Sequence, residues 1–157
     1  MKKKSKHKPR TLITNPIAYV INNVSTLSSE KSQEIKMRAS NHAAIDEISM
    51  GRGTAEHMRV LIDAFNMAFV LAKRGKGKDW LPEIGNAQAA LDTLAHRSTR
   101  IGRYTLTGPE LQAIRLGLEI HDAQLDEVSI GELGSAVDYI VQRTLAKQVR
   151  MLPKAPA

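Results

Sequence analysis

Residues 54–73, TAEHMRVLIDAFNMAFVLAK, leave this chain few ways to fold. Met58, Leu61, Ile62, Phe65, Ala68, Phe69 and Ala72 recur at three- and four-residue steps, which gathers them on one helical face. Val60, Met67, Val70 and Leu71 widen that face until little of the helix is purely polar. A helix so apolar has to be covered on several sides. The pattern predicts the central rod of a helical bundle, with both phenylalanines of the protein, Phe65 and Phe69, turned to the core.

The flanking segments supply the walls. Asn15 before Pro16 reads as the start of a short helix whose inward face is Ile17, Val20, Ile21 and Val24. Residues 30–50 predict a weaker helix with Ile35, Ala39, His42, Ile45 and Ile48 in line, stopped by Gly51-Arg52-Gly53. Thr54 caps the central helix and Gly75 ends it. Asp79 is the expected cap of a further helix carrying Ile84, Ala87, Leu91, Leu94, Ala95, Ser98 and Ile101 inward to Gly102. Two capping boxes follow, a threonine or serine with glutamate three residues on: Thr107-Gly108-Pro109-Glu110 and Ser129-Ile130-Gly131-Glu132. The first opens a stripe of Leu111, Ile114, Leu118, His121 and Leu125, with His121 half-buried. The second opens Leu133, Val137, Ile140, Val141, Thr144 and Leu145. The expected fold is all-α, a compact bundle of five to six helices over residues 15–150. A disordered basic arm (1–14) precedes it and a frayed tail (151–157) follows it.

At 157 residues with 42% apolar content, one domain with a real core is expected. The absence of cysteine rules out disulfides and thiolate chemistry and is compatible with a cytoplasmic, reducing compartment. No apolar run reaches the roughly 20 residues of a membrane span, and no apolar region follows the basic start as in a secretory signal. The net charge of +7 resides in the arm: Lys2, Lys3, Lys4, Lys6, Lys8 and Arg10 are unopposed by any acid. Taking these six from 23 basic residues leaves 17 against 16 acids, a body of +1.

Flexible basic arms neutralise phosphates, so Lys2, Lys3, Lys4, Lys6, Lys8 and Arg10 are candidate nucleic-acid contacts, against the plainer reading of a solubilising tail. Arg74, Lys76 and Lys78 around Gly75 and Gly77 are candidates for a second backbone contact. They do not form a nucleotide loop, since the GxxxxGK[ST] pattern is absent. Trp80 is expected to pack on the start of its own helix rather than stack on a base. With aromatics at 4%, duplex backbone contact fits better than a single-strand platform. A helix-turn-helix reader over residues 111–145 is disfavoured by Glu132 and Asp138 on its second helix, although Arg143, Lys147 and Arg150 follow. The histidines are scattered without the close pairs of metal sites, no serine or threonine sits in a nucleophile turn, and Asp122, Asp126 and Glu127 read as a solvated face. No cofactor, metal or catalytic residue is expected.

Three stretches carry a resemblance: Lys8-Pro9-Arg10, Asn15-Pro16-Ile17-Ala18-Tyr19-Val20, and Gly102-Arg103-Tyr104-Thr105-Leu106-Thr107-Gly108-Pro109-Glu110-Leu111. With its lysine-rich start, the layout resembles that of small helical proteins encoded by bacteriophages and prophages of proteobacteria. The resemblance implies a bacterial, phage-related accessory protein, such as a regulator or an inhibitor of a host complex. It carries no site residues. Two functions are therefore expected in competition. One is a non-enzymatic accessory protein that contacts nucleic acid through its arm. The other is a helical inhibitor or adaptor that binds a host protein complex. A self-associating homo-oligomer is a third.

Overall fold

The computed structural model describes residues 30–156. The predicted arm and the predicted helix beginning at Pro16 lie outside the described residues. Within them the chain is all-α: α1 (Glu30–Ser49), α2 (Ala55–Lys73), a 3-10 turn (Lys78–Trp80), α3 (Leu81–Ile101), α4 (Gly108–Glu127) and α5 (Ile130–Leu145). No strand occurs among the described residues.

α2 is the rod that its composition predicts. It packs against each of the other four helices, and Leu61, Phe65, Met67, Ala68 and Ala72 have no solvent exposure. Its apolar girth feeds two clusters. Leu61, Ala64, Phe65 and Ala68 meet Ile45, Ile48, Ile84, Leu94, Ile114 and Leu118. Met67, Val70 and Leu71 meet Met37, Leu125, Leu133, Ala136 and Val137. Phe69 departs from the predicted core face: it is 37% exposed, with the Lys73 ammonium 5.5 Å from its ring centroid.

The punctuation acts locally. Gly51 and Gly102 take the left-handed conformation (φ 77° and 76°) in which a helix end is cheapest for glycine. Thr54, Thr107 and Ser129 each accept a hydrogen bond from the amide three residues on, and all three form full capping boxes. At Thr54 the reciprocal partner is His57, whose Nδ1 accepts the Thr54 amide at 3.2 Å. Asp79 does not cap α3. The 3-10 turn intervenes, Trp80 takes the cap position without a side-chain bond, and Pro82 follows in the first turn. Glu110 does more than close its box. It receives the Thr107 amide (2.9 Å) and Arg97 Nη1 (2.8 Å), and the same nitrogen donates to the Thr105 carbonyl at 2.7 Å. Arg97 thus ties the α3–α4 loop to both helices. Its hydrogen bonding, more than any other influence, holds the Glu110 carboxyl below its ordinary range. Arg97→Met should cost about 2 kcal/mol, because it strands a part-buried carboxylate and a carbonyl. A denaturant midpoint unchanged from wild type would show the bridge to be idle.

α1 is rotated from its predicted phase. Its buried side is Gln33, Met37, Asn41, Ala44, Ile45 and Ile48, while Ile35 is 58% exposed. Met37, Ala44, Ile45 and Ile48 together take the covered face, and polar pairs run along the seam where α1 lies antiparallel to α4. Arg38 bonds Asp126, His42 Nε2 donates to Asp122 Oδ2 at 2.7 Å, and Arg115 stands 3.6 Å from Asp46. Asp122 is partly covered at this seam, while Asp126 stays 67% exposed, on the solvated face that the sequence predicts.

His121 is also more deeply placed than predicted, with no solvent exposure. The Gln124 amide nitrogen donates to the Ala68 and Lys76 carbonyls at 3.0 and 2.8 Å. Its oxygen is left to accept from His121 Nδ1 at 3.2 Å. That arrangement fixes the neutral tautomer, with His121 Nε2 buried and unpartnered. Burial pushes the imidazole pKa down to about 4. At the other end of the apolar stripe patterns, Ile101 and Leu145 are 48% and 63% exposed, each at the last turn of its helix and clear of the core.

Candidate nucleic-acid interface

Of the sequence candidates, Lys2, Lys3, Lys4, Lys6, Lys8 and Arg10 lie outside the described residues, so no geometry attaches to them. Arg74, Lys76 and Lys78 fall in the turn after α2. Gly75 and Gly77 have φ of 101° and 77°, which lets the chain reverse tightly there. The Gly75 and Lys76 amides close back onto the Ala72 and Leu71 carbonyls at 3.0 and 2.9 Å. The turn is therefore anchored, and Gln124 holds it from the side.

The three cations diverge from there. Arg74 reaches α5, donating to Ser135 Oγ at 3.0 Å and lying 5.7 Å from the Tyr139 ring centroid. Lys76 Nζ donates to the Glu127 carbonyl at 3.2 Å and sits 3.9 Å from Glu132 Oε1, across the α4–α5 junction. Lys78 has no ion pair among the described residues and begins the 3-10 turn. Arg74 thus faces α5, while Lys76 fastens the start of that helix.

Trp80 is half exposed and does not simply bury itself on α3. With Leu116, Ile120 and Ala123 it lines a groove of about 300 Å³ that also carries Glu119 and Glu127. Two carboxylates beside the indole repel phosphate, so this groove is the wrong place to stack a nucleotide.

The more favourable surface lies at α5, where the sequence sets Arg143 after the acids Glu132 and Asp138. Tyr139 is 43% exposed, and Arg143 lies 5.8 Å from its centroid, close to the distance of Arg74. Neither guanidinium has a carboxylate partner among the described residues. Two arginines around one exposed aromatic ring combine phosphate recognition with a stacking surface. The Tyr139–Arg143 contact was legible as a four-residue helical spacing. The contribution of Arg74 was not, because it depends on how α5 folds back along α2.

The described residues contain no group of three or more side chains able to hold a metal. His42 pairs with Asp122, His57 belongs to a cap, His96 lies 3.5 Å from Asp92, and His121 is enclosed. No helix among them is long and apolar enough to cross a membrane.

Fold and surface together define an all-α bundle with a basic–aromatic edge. No protein-family model, curated protein or solved structure matches the chain.

Proposed function

We propose that this protein is a non-enzymatic accessory protein that contacts nucleic-acid phosphates. The tether is the arm of Lys2, Lys3, Lys4, Lys6, Lys8 and Arg10, and the second contact is the Arg74–Tyr139–Arg143 edge. The observation that carries the reading is the pair of guanidinium groups around an exposed Tyr139, neither of them in an ion pair among the described residues. Lys76 plays a supporting part by fixing the start of α5, and Lys78 extends the cationic turn.

Mobility-shift titrations with duplex DNA and with RNA at two salt concentrations test it. Deleting residues 2–10 is expected to weaken binding at least tenfold at low salt and to flatten the salt dependence. Arg74→Glu with Arg143→Glu should weaken it a further several-fold while thermal melting stays near wild type. Undiminished binding by the arm deletion sinks the tether.

The adaptor reading keeps one specific observation of its own, an open apolar groove between α2 and α3.

A further inference from the structure

Between α2 and α3 runs a groove of about 480 Å³. Ile62, Phe65 and Phe69 come from one side, and Gly85, Ala89 and Asp92 from the other. Gly85 matters because nothing lies within 4 Å of where its Cβ would stand, so the missing side chain leaves the wall open. An open, largely apolar trough of this size is an unfavourable surface for a bundle to keep without an occupant.

The chain shows what the groove accepts. After α5, Lys147 adopts φ 55°, a left-handed conformation more typical of glycine, with its amide on the Thr144 carbonyl at 3.0 Å. This reversal sends the following residues back over α2 without secondary structure. Val149 and Leu152 then line the groove, and Arg150 Nη2 donates to Asp92 Oδ2 at 2.8 Å. Leu152 continues onto the core edge formed by Met58, Ile62 and Tyr104.

The fit is incomplete in three ways. The groove remains open with the tail in place. Arg150 is 74% exposed and makes one bond, while the other carboxylate oxygen, Asp92 Oδ1, is buried with no hydrogen-bond partner. His96 stands 3.5 Å from that oxygen, but no hydrogen bond forms. An arginine entering more squarely would satisfy both oxygens with its paired donors. The left-handed Lys147 and the largely exposed Met151 (81%) add little to hold the tail down.

We propose that the α2–α3 groove is a docking site for a partner polypeptide bearing an apolar–arginine–x–apolar segment, and that residues 149–152 occupy it in cis as a displaceable strap. The arginine of the partner docks on Asp92, and its apolar residues fill the trough over Phe65 and Phe69. The strap sets a threshold: a partner binds only if it outcompetes the tail.

A fluorescent synthetic peptide of residues 146–156 is the probe, titrated into the full chain by anisotropy. The full-length Arg150→Glu/Leu152→Glu variant, whose own tail is released, is expected to bind it at least tenfold more tightly than wild type. A peptide with glutamate in place of its arginine should not bind, and adding Asp92→Ala to the variant should remove binding. Equal affinity for variant and wild type, or binding indifferent to Asp92, overturns the proposal. If the variant does not fold, methyl NMR on the isotope-labelled wild-type protein decides. Unlabelled peptide at millimolar concentration should move the Val149 and Leu152 methyl signals to those of a free chain while the buried methyls of α2 and α3 stay in place, and unmoved signals overturn it.

Discussion

Gly117→Val is expected to destabilise the bundle by about 3 kcal/mol or more. Gly117 is buried in the middle of α4, where that helix crosses α2 and α3. A Cβ placed there would stand 2.5 Å from Phe65 Cε1 and 2.8 Å from Ala87 Cβ. Phe65 has no exposure, and the Ala87 methyl moves only with its helix. The added methyls of valine must therefore push two helices apart in a close-packed core. Denaturant unfolding measures the effect, and a loss below about 1 kcal/mol would mean that the crossing is looser than its geometry. Phe65→Leu in the same chain should recover part of the loss, because it removes the ring that the new side chain strikes. An additive double variant would refute that coupling.

Two buried ionisable groups should produce opposite acid responses that mask each other. Burial depresses the His121 imidazole from 6.5 to about 4. Between those values the unfolded chain holds the proton and the folded chain does not, so stability falls as pH drops, by about 3 kcal/mol in all. Asp63 on α2 behaves in reverse. Its Oδ2 is buried without a hydrogen-bond partner, and burial pushes its carboxyl from 3.8 up to about 6, opposed only by the charge of Arg59. Between those values the folded chain holds the proton and the unfolded one does not, so stability rises as pH drops, by about 2–3 kcal/mol. The two windows overlap, and their contributions nearly cancel between about pH 4 and pH 6.

Asp63→Asn should therefore do two things. At pH 7 it removes an ionised, unpartnered carboxylate and raises stability by about 2 kcal/mol, or roughly 4–8 °C in melting temperature. At lower pH it exposes the His121 slope, so the variant loses stability faster than wild type below pH 6. His121→Leu should show the opposite, gaining on wild type as pH falls. Chemical denaturation at half-unit pH steps checks both. Parallel profiles for wild type and both variants would show that neither group titrates as its burial dictates.

The fold was readable where the cause was local. The three-and-four spacing around Leu61, Phe65 and Ala68 predicts the rod. The boxes at Thr107 and Ser129 place two helix starts, and Gly51 and Gly102 place two stops. These signals work because a hydrogen bond to an amide three residues away, or a positive φ, needs no distant partner. Prediction faltered where one helix answers to another. Ile35 fits an apolar stripe on α1, yet the face that the other helices cover is that of Met37, Ala44, Ile45 and Ile48, and Ile35 is left outside it. Phe69 belongs to the right stripe of α2 but lines the open groove between α3 and the segment after α5, so it stays 37% exposed.

The candidate sites divide in the same way. Charge counting located the excess of lysines in the first ten residues, and it named Arg74, Lys76 and Lys78 as a basic turn. It could not say that Arg74 joins Arg143 around Tyr139 while Lys76 is tied to the α4–α5 junction, since residues about sixty positions apart meet only through packing. The return of Val149 and Leu152 over Phe65 was equally invisible, and a tail ending in prolines read as frayed. Sequence by itself determined that this chain is helical, where most helices begin and end, and where its surplus charge lies, because capping, periodicity and charge are near-neighbour properties. Only the tertiary structure decided which polar groups are stranded, which aromatics reach solvent and which groove stays open. Desolvation depends on what every other segment covers, and no single segment encodes that.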